Sequence, residues 1–203
     1  MEKIYLSPAS SATAEIVEKR SRFIGNIAHI DSEEEALDFI KSIKKKYYDA
    51  KHSAYAYITS GIKRYSDDGE PAKTAGLPIL EMLDAQKLTD CVCVVTRYFG
   101  GILLGTGGLV RAYTAAAKLS LEEAGIKRMS LHSKFIFTVP YSIFDSVKYV
   151  AGEVGCEFLN CDYTDVVSVE AVCKEELSQN LIDSLTGTFG TNIKYEFVEN
   201  VYR

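Results

Sequence analysis

The sequence predicts an α+β chain of two domains, divided near residue 130. Three observations carry this reading. Residues 131–203 spell strand, helix, strand, strand, helix, strand, the split βαβ order. Cys91 to Thr96 is an apolar, Val-rich run that suits a central strand, and it ends in glycines that open a helix. Charge changes at the same boundary: residues 1–130 carry 18 Lys and Arg against 17 Asp and Glu, whereas residues 131–203 carry 5 against 11. At 203 residues and 47% apolar content, the chain can bury a core without staples.

The elements follow in order. Residues 12–17 and 22–27 read as two short strands, with Lys19 to Arg22 as a solvated hairpin turn between them. Ser32-Glu33-Glu34-Glu35 is a capping box, in which Glu35 reaches back to the cap N–H. Ala36, Ile40, Ile43 and Tyr47 then recur at helical spacing, giving an amphipathic helix over 33–47. Its late lysines, Lys41, Lys44, Lys45 and Lys46, suit the negative helix end and also make a basic patch. A strand starts around Tyr55 to Ile58, and Gly61 marks a turn. Tyr65 to Pro71 reads as loop. Thr74 is a candidate cap for a helix that runs to about residue 87. After the central strand, a helix begins at Leu109, with Gly107 and Gly108 at its mouth.

The second domain begins after Lys127 to Leu131. It predicts a strand at 135–139, a helix at 141–151, strands at 156–164 and 166–173, a helix at 175–185 and a strand at 194–201. Its acidic balance makes it a poor surface for phosphate backbones. The N-terminal segment MEKIYLSPASS lacks an apolar signal core, and no run reaches membrane-span length. The five cysteines show no CxxC and no zinc spacing. They predict reduced thiols in a cytoplasmic protein.

Three stretches ask for more than packing. They are Lys51 to Tyr55, Ser66 to Pro71, and Thr96 to Arg111. In the last, Gly100, Gly101, Gly105, Gly107 and Gly108 permit close backbone approach, and the helix start offers free N–H groups to an anion. Arg97 and Arg111 can supply bidentate charge. The segment matches neither the Walker A nor the GxGxxG pattern. The alternative is tight strand–helix packing, with the arginines paired to Asp67, Asp68 or Glu70. Those three acids suit a hard cation in type but not in calcium-loop spacing. A capping turn is the plainer reading. His52 fits a buried or half-buried hydrogen bonder. A triad of Ser66, His52 and Asp68 lacks a nucleophile elbow. His29 and His132 have no neighbours that make a ligand set. No catalytic residue, metal or cofactor is assigned.

Val94 to Gly101 together with Gly105 to Tyr113, and upstream Ser66 to Pro71 with Thr74 to Gly76, resemble the YigZ/IMPACT family in its bacterial two-domain form. The resemblance implies an N-terminal domain like domain 2 of ribosomal protein S5 and a ferredoxin-like C-terminal domain. It also implies a role linked to translation, because eukaryotic relatives bind a ribosome-associated activator of a stress kinase. Bacterial relatives are suggested to bind nucleic acid. This chain departs from the usual pattern at Ala54, Lys73 and Leu103, where cysteine, glycine and lysine are common.

The expected function is therefore RNA or ribosome binding through a groove lined by His52, Lys73, Arg97, Tyr98 and Arg111, with Tyr98 stacking on a base. Asp67, Asp68, Glu70 and the glycines belong to the same candidate surface. A phosphate-ligand enzyme and a protein-interaction module are the alternatives. All three depend on open backbone amides and unpaired guanidinium groups.

Overall fold

A computed structural model describes residues 4–59 and 61–203. The first three residues of the segment read for a signal core lie outside these. The chain is α+β and divides into two compact units, one holding Tyr5–Arg128 and the other Met129–Arg203 together with Ile4. Among the described residues, no helix is long and apolar enough to cross a membrane.

The N-terminal unit opens with most of β1 (Ile4–Pro8), which touches the segment before the central strand, where Thr89 N–H donates to the Leu6 carbonyl. The sequence does not announce β1, because five residues without alternation carry little periodic signal. β2 (Ala12–Glu18) and β3 (Ser21–His29) form a hairpin, and Lys19 and Arg20 take positive φ between them. That suits the primed turn of a tight hairpin.

α1 (Glu33–Lys46) starts on Ser32, whose hydroxyl accepts from Glu35 N–H. The return bond differs from the expected capping box: Glu35 accepts from Asp31 N–H, one residue before the cap. β4 (His52–Thr59) and β5 (Ile62–Ser66) form a second hairpin. β5 includes Tyr65 and Ser66, whose polar surroundings suggest loop. α2 (Gly76–Ala85), β6 (Cys91–Tyr98) and α3 (Thr106–Ala124) complete the unit. α3 begins three residues earlier than its apolar periodicity suggests.

Five of these strands lie in the order β2-β3-β6-β4-β5, each pair antiparallel. β6 is central, and both of its faces are covered. Cys91, Cys93 and Val95 enter the core made with α2 and α3, while Val92 and Val94 face α1 through Ile40 and Ile43. Two-sided burial is why this strand is apolar throughout. α3 presses closely on β3: a Cβ at Gly25 would stand 2.5 Å from the Ala116 carbonyl oxygen, so only glycine fits.

The C-terminal unit contains most of β7 (Ile126–Val139), then α4 (Tyr141–Glu153), β8 (Glu157–Tyr163), β9 (Val167–Lys174), α5 (Ser178–Phe189) and β10 (Lys194–Tyr202). Its antiparallel pairings give the order β10-β7-β9-β8. Phe135, Phe137 and Val139 alternate into a core with Val167, Val169 and Ala171, closed by Val147 of α4 and by Leu181 and Leu185 of α5.

Candidate functional site

The polar loop between β5 and α2 is built by its own carboxylates. Asp67 Oδ1 accepts from the Ala75 and Gly76 N–H groups at 3.0 and 2.8 Å, and its Oδ2 accepts from Lys73 N–H at 2.8 Å. Asp67 thus caps α2 from nine residues away, and Thr74 does not: its hydroxyl donates to the Pro71 carbonyl. Asp68 Oδ1 pairs with Lys44 at 2.6 Å, and its Oδ2 accepts from Ser53 N–H at 2.7 Å. Its carbonyl meets His52 Nδ1 at 2.9 Å. A carbonyl only accepts, so Nδ1 carries a proton and Nε2 is the ring nitrogen left over.

Glu70 points elsewhere. It accepts from Arg97 Nη1 at 2.7 Å and from the Tyr113 hydroxyl at 2.8 Å, with the acid and guanidinium side chains only 3% and 8% exposed. Burial, with the Glu70 charge beside it, pushes the Tyr113 hydroxyl well above the ordinary tyrosine range. The three acids therefore do not converge, and among the described residues no cluster of three His, Cys, Asp or Glu is placed to hold a metal.

The expectation that Arg97 offers its charge to a phosphate is corrected by this pair. Antiparallel register explains its position: Phe23, Arg97 and His52 stand opposite one another on β3, β6 and β4. Arg97 is drawn inward to Glu70, and its Cζ lies 5.5 Å from the ring centroids of both Phe23 and Phe99. Its Nε is buried without a partner among the described residues. Such a pair is costly to desolvate and far costlier to break.

At the end of β6 lies a pocket of about 540 Å³, lined by Asp49, Lys51, His52, Arg97, Tyr98, Phe99 and Leu103. The Tyr98 hydroxyl donates to Asp49 at 2.6 Å, which pushes its pKa up to about 12. Arg22 stands 5.5 Å from the Tyr98 ring and is itself paired with Glu15. The Tyr98 hydroxyl is thus tied to Asp49 and its ring is met by Arg22, while its neighbour Phe99 is the large exposed apolar ring of the pocket. Lys51 has no ion-pair partner among the described residues.

The glycines have separate tasks. Gly100 lies against the β2–β3 turn, where a Cβ would come 2.0 Å from the Arg20 carbonyl carbon, so its role is packing. Gly101 and Gly105 take φ of 82° and 72° in open surroundings. Gly107 and Gly108 sit in the first turn of α3, which has no side-chain cap and no acid. Arg111 is exposed one turn further on and forms no ion pair with a described residue.

A family model for the Impact N-terminal domain matches residues 19–121. The chain is 35% identical over 175 residues to IMPACT family member YvyE of Bacillus subtilis, spanning 85% of this chain and 81% of that protein. This chain belongs to the IMPACT family. IMPACT family member YigZ of Escherichia coli is 34% identical over 91% of this chain and 95% of its own. Protein IMPACT of rat is 27% identical, and the match spans 57% of this chain and 38% of that protein. A crystal structure described as that of a hypothetical protein superposes with a TM-score of 0.67 at 30% identity, covering 98% of this chain and 99% of that one.

In this IMPACT-family chain the pocket collects His52, Arg97 and Tyr98 from the expected set. It does not collect Asp67, Asp68, Glu70, Lys73, Arg111 or any of the five glycines. It adds Asp49, Lys51, Phe99 and Leu103, none of which the sequence assigns to the site, although the last three fall in the stretches it singles out. Phe99 has a signal, since it directly follows Arg97 and Tyr98 where β6 ends. Asp49 has none, because only the fold brings the end of α1 to the end of β6.

Proposed function

We propose that this protein binds RNA or the ribosome as a translation-linked regulator, using the pocket at the end of β6 and the open first turn of α3. The observation that carries the reading is the joint presence in one pocket of an exposed aromatic ring, Phe99, and a lysine without an ion-pair partner among the described residues, Lys51. Aromatic faces take up unstacked bases, and lysines meet the backbone between them. Arg111 and the uncapped amides of α3 add a second anion-friendly surface. The translation link rests on the family. The reading extends to fold: the order β10-β7-β9-β8 with two helices supports a ferredoxin-like C-terminal domain. The N-terminal unit is read as S5 domain 2-like on the resemblance alone. The separate engagements of Asp67, Asp68 and Glu70 give no support to a magnesium-dependent phosphoryl transfer site.

Affinity for single-stranded RNA, measured against KCl concentration, tests the proposal. Lys51→Ala and Arg111→Ala should each weaken binding and reduce the salt slope by about 0.7 for each phosphate left unneutralised. Affinity unchanged in both variants, with no salt dependence, would overturn it.

A further inference from the structure

Phe99 is held differently from the other rings of the pocket. It is 55% exposed and lines the pocket wall. The Arg97 guanidinium lies over its ring, and the same guanidinium lies over Phe23. Phe23 in turn meets Tyr113 edge to face at 5.1 Å, and Tyr113 holds Glu70, which holds Arg97. The assembly is a closed circuit that reaches the surface at Phe99. It contains a buried charge and a buried Nε–H without a partner among the described residues. Both oppose stability, and an unsatisfied buried donor in a folded protein asks for a reason. What the arrangement achieves is one aromatic ring pinned from within, with accessible surface left to the pocket. A pinned ring loses little conformational freedom on binding a planar partner.

The charges around the pocket indicate what that partner is. Arg97 is neutralised by Glu70, and the lining otherwise holds one acid, Asp49, which accepts from Tyr98, and one lysine, Lys51. The pocket is therefore close to neutral and suits an uncharged planar group better than a phosphate. Its polar atoms, the Asp49 carboxylate and His52 Nε2, can meet the edge of a heterocycle. Lys51 is the one lining cation left without an acidic partner among the described residues.

We infer that Phe99 is a stacking platform for one unpaired nucleobase of single-stranded RNA, with Lys51 meeting the adjoining phosphate. This rests on the RNA-binding reading and names the part of the RNA that the pocket takes. The platform excludes a base that is still paired in a duplex, because its face is then covered by its neighbours.

Fluorescence anisotropy with three probes tests it: a short single-stranded RNA, the same sequence as a duplex, and a ribose-phosphate oligomer of equal length without bases. The single strand should bind best. Phe99→Ala should weaken it by roughly five- to a hundredfold, the range for removing one base–aromatic stack. Phe99→Leu, which keeps apolar bulk and removes the π face, should lose nearly as much, and Phe99→Trp should retain binding. The baseless oligomer should bind weakly and ignore Phe99→Ala. If Phe99→Leu binds like the unchanged protein, or the baseless oligomer binds as well as RNA, the inference fails while the RNA-binding reading stands. If no single-stranded RNA binds at low salt, both fail.

Discussion

Replacing Glu70 with alanine leaves the Arg97 guanidinium buried without its counter-charge. The two side chains are 3% and 8% exposed, so water cannot stand in for the missing carboxylate. Removing one partner of such a pair costs about 3–5 kcal/mol. The Tyr113 hydroxyl loses its acceptor in the same change. The two effects share one network and do not simply add. Thermal unfolding of the N-terminal unit, followed by circular dichroism, should shift down by about 10–20 °C, taking roughly 4 °C per kcal/mol. The double variant Glu70→Leu with Arg97→Met should recover most of that stability, because neither charge is then buried. A drop of less than about 1 kcal/mol in Glu70→Ala would refute the reasoning, since solvent would then be screening the pair as it does at a surface.

Other perturbations probe the loop, the thiols and the phenols. Asp67→Ala strips the acceptor from three amides at the head of α2 and should cost about 1–2 kcal/mol in urea unfolding, with Asp67→Asn recovering part. Alkylation at pH 8 should label exposed Cys161 first, because burial pushes the Cys93 thiol up to about 12 and Cys91 in the same direction. Labelling of Cys93 as fast as Cys161, read by mass spectrometry, would contradict that burial. Tyr57 is raised to about 12 by burial and by its bond to Glu33, and Tyr98 to about 12 by its bond to Asp49. The protonated phenols are favoured in the folded state. Their contribution is complete below about pH 10 and is lost as pH rises from there toward 12. Absorbance at 295 nm should show late-ionising tyrosines, one fewer in Tyr57→Phe.

Most of the fold is legible in the sequence because most of it is periodic. The amphipathic run of α1, the Val-rich β6 and the alternation of β7 and β9 each state their own environment. β1 and β5 are not legible. Each spans five residues, too few for a pattern, and β5 is polar enough to pass for a turn. The glycine-rich segment is legible as special but not as divided. Nothing local distinguishes Gly100, which yields room to a neighbouring turn, from Gly105, which opens a helix in empty space. The acidic turn reads as a capping element, and Asp67 does cap. Which helix it caps is not readable, because the cap acts across nine residues of irregular chain.

Arg97 carries the main lesson about the site. A guanidinium beside glycines and an aromatic pair suggests a ligand contact when only the chain is known. Register decides otherwise: the row Phe23, Arg97, His52 places the arginine where Glu70 and Tyr113 can reach it. Its influence on the pocket then runs through the position of Phe99 and through stability, not through charge donated to a ligand. Weak RNA binding by Arg97→Ala would therefore not identify a phosphate contact. It would mix a displaced ring with a partly unfolded domain that also carries an unpaired Glu70. Lys51 and Phe99 are the positions where weakened binding can be read directly, because neither takes part in the buried ion pair.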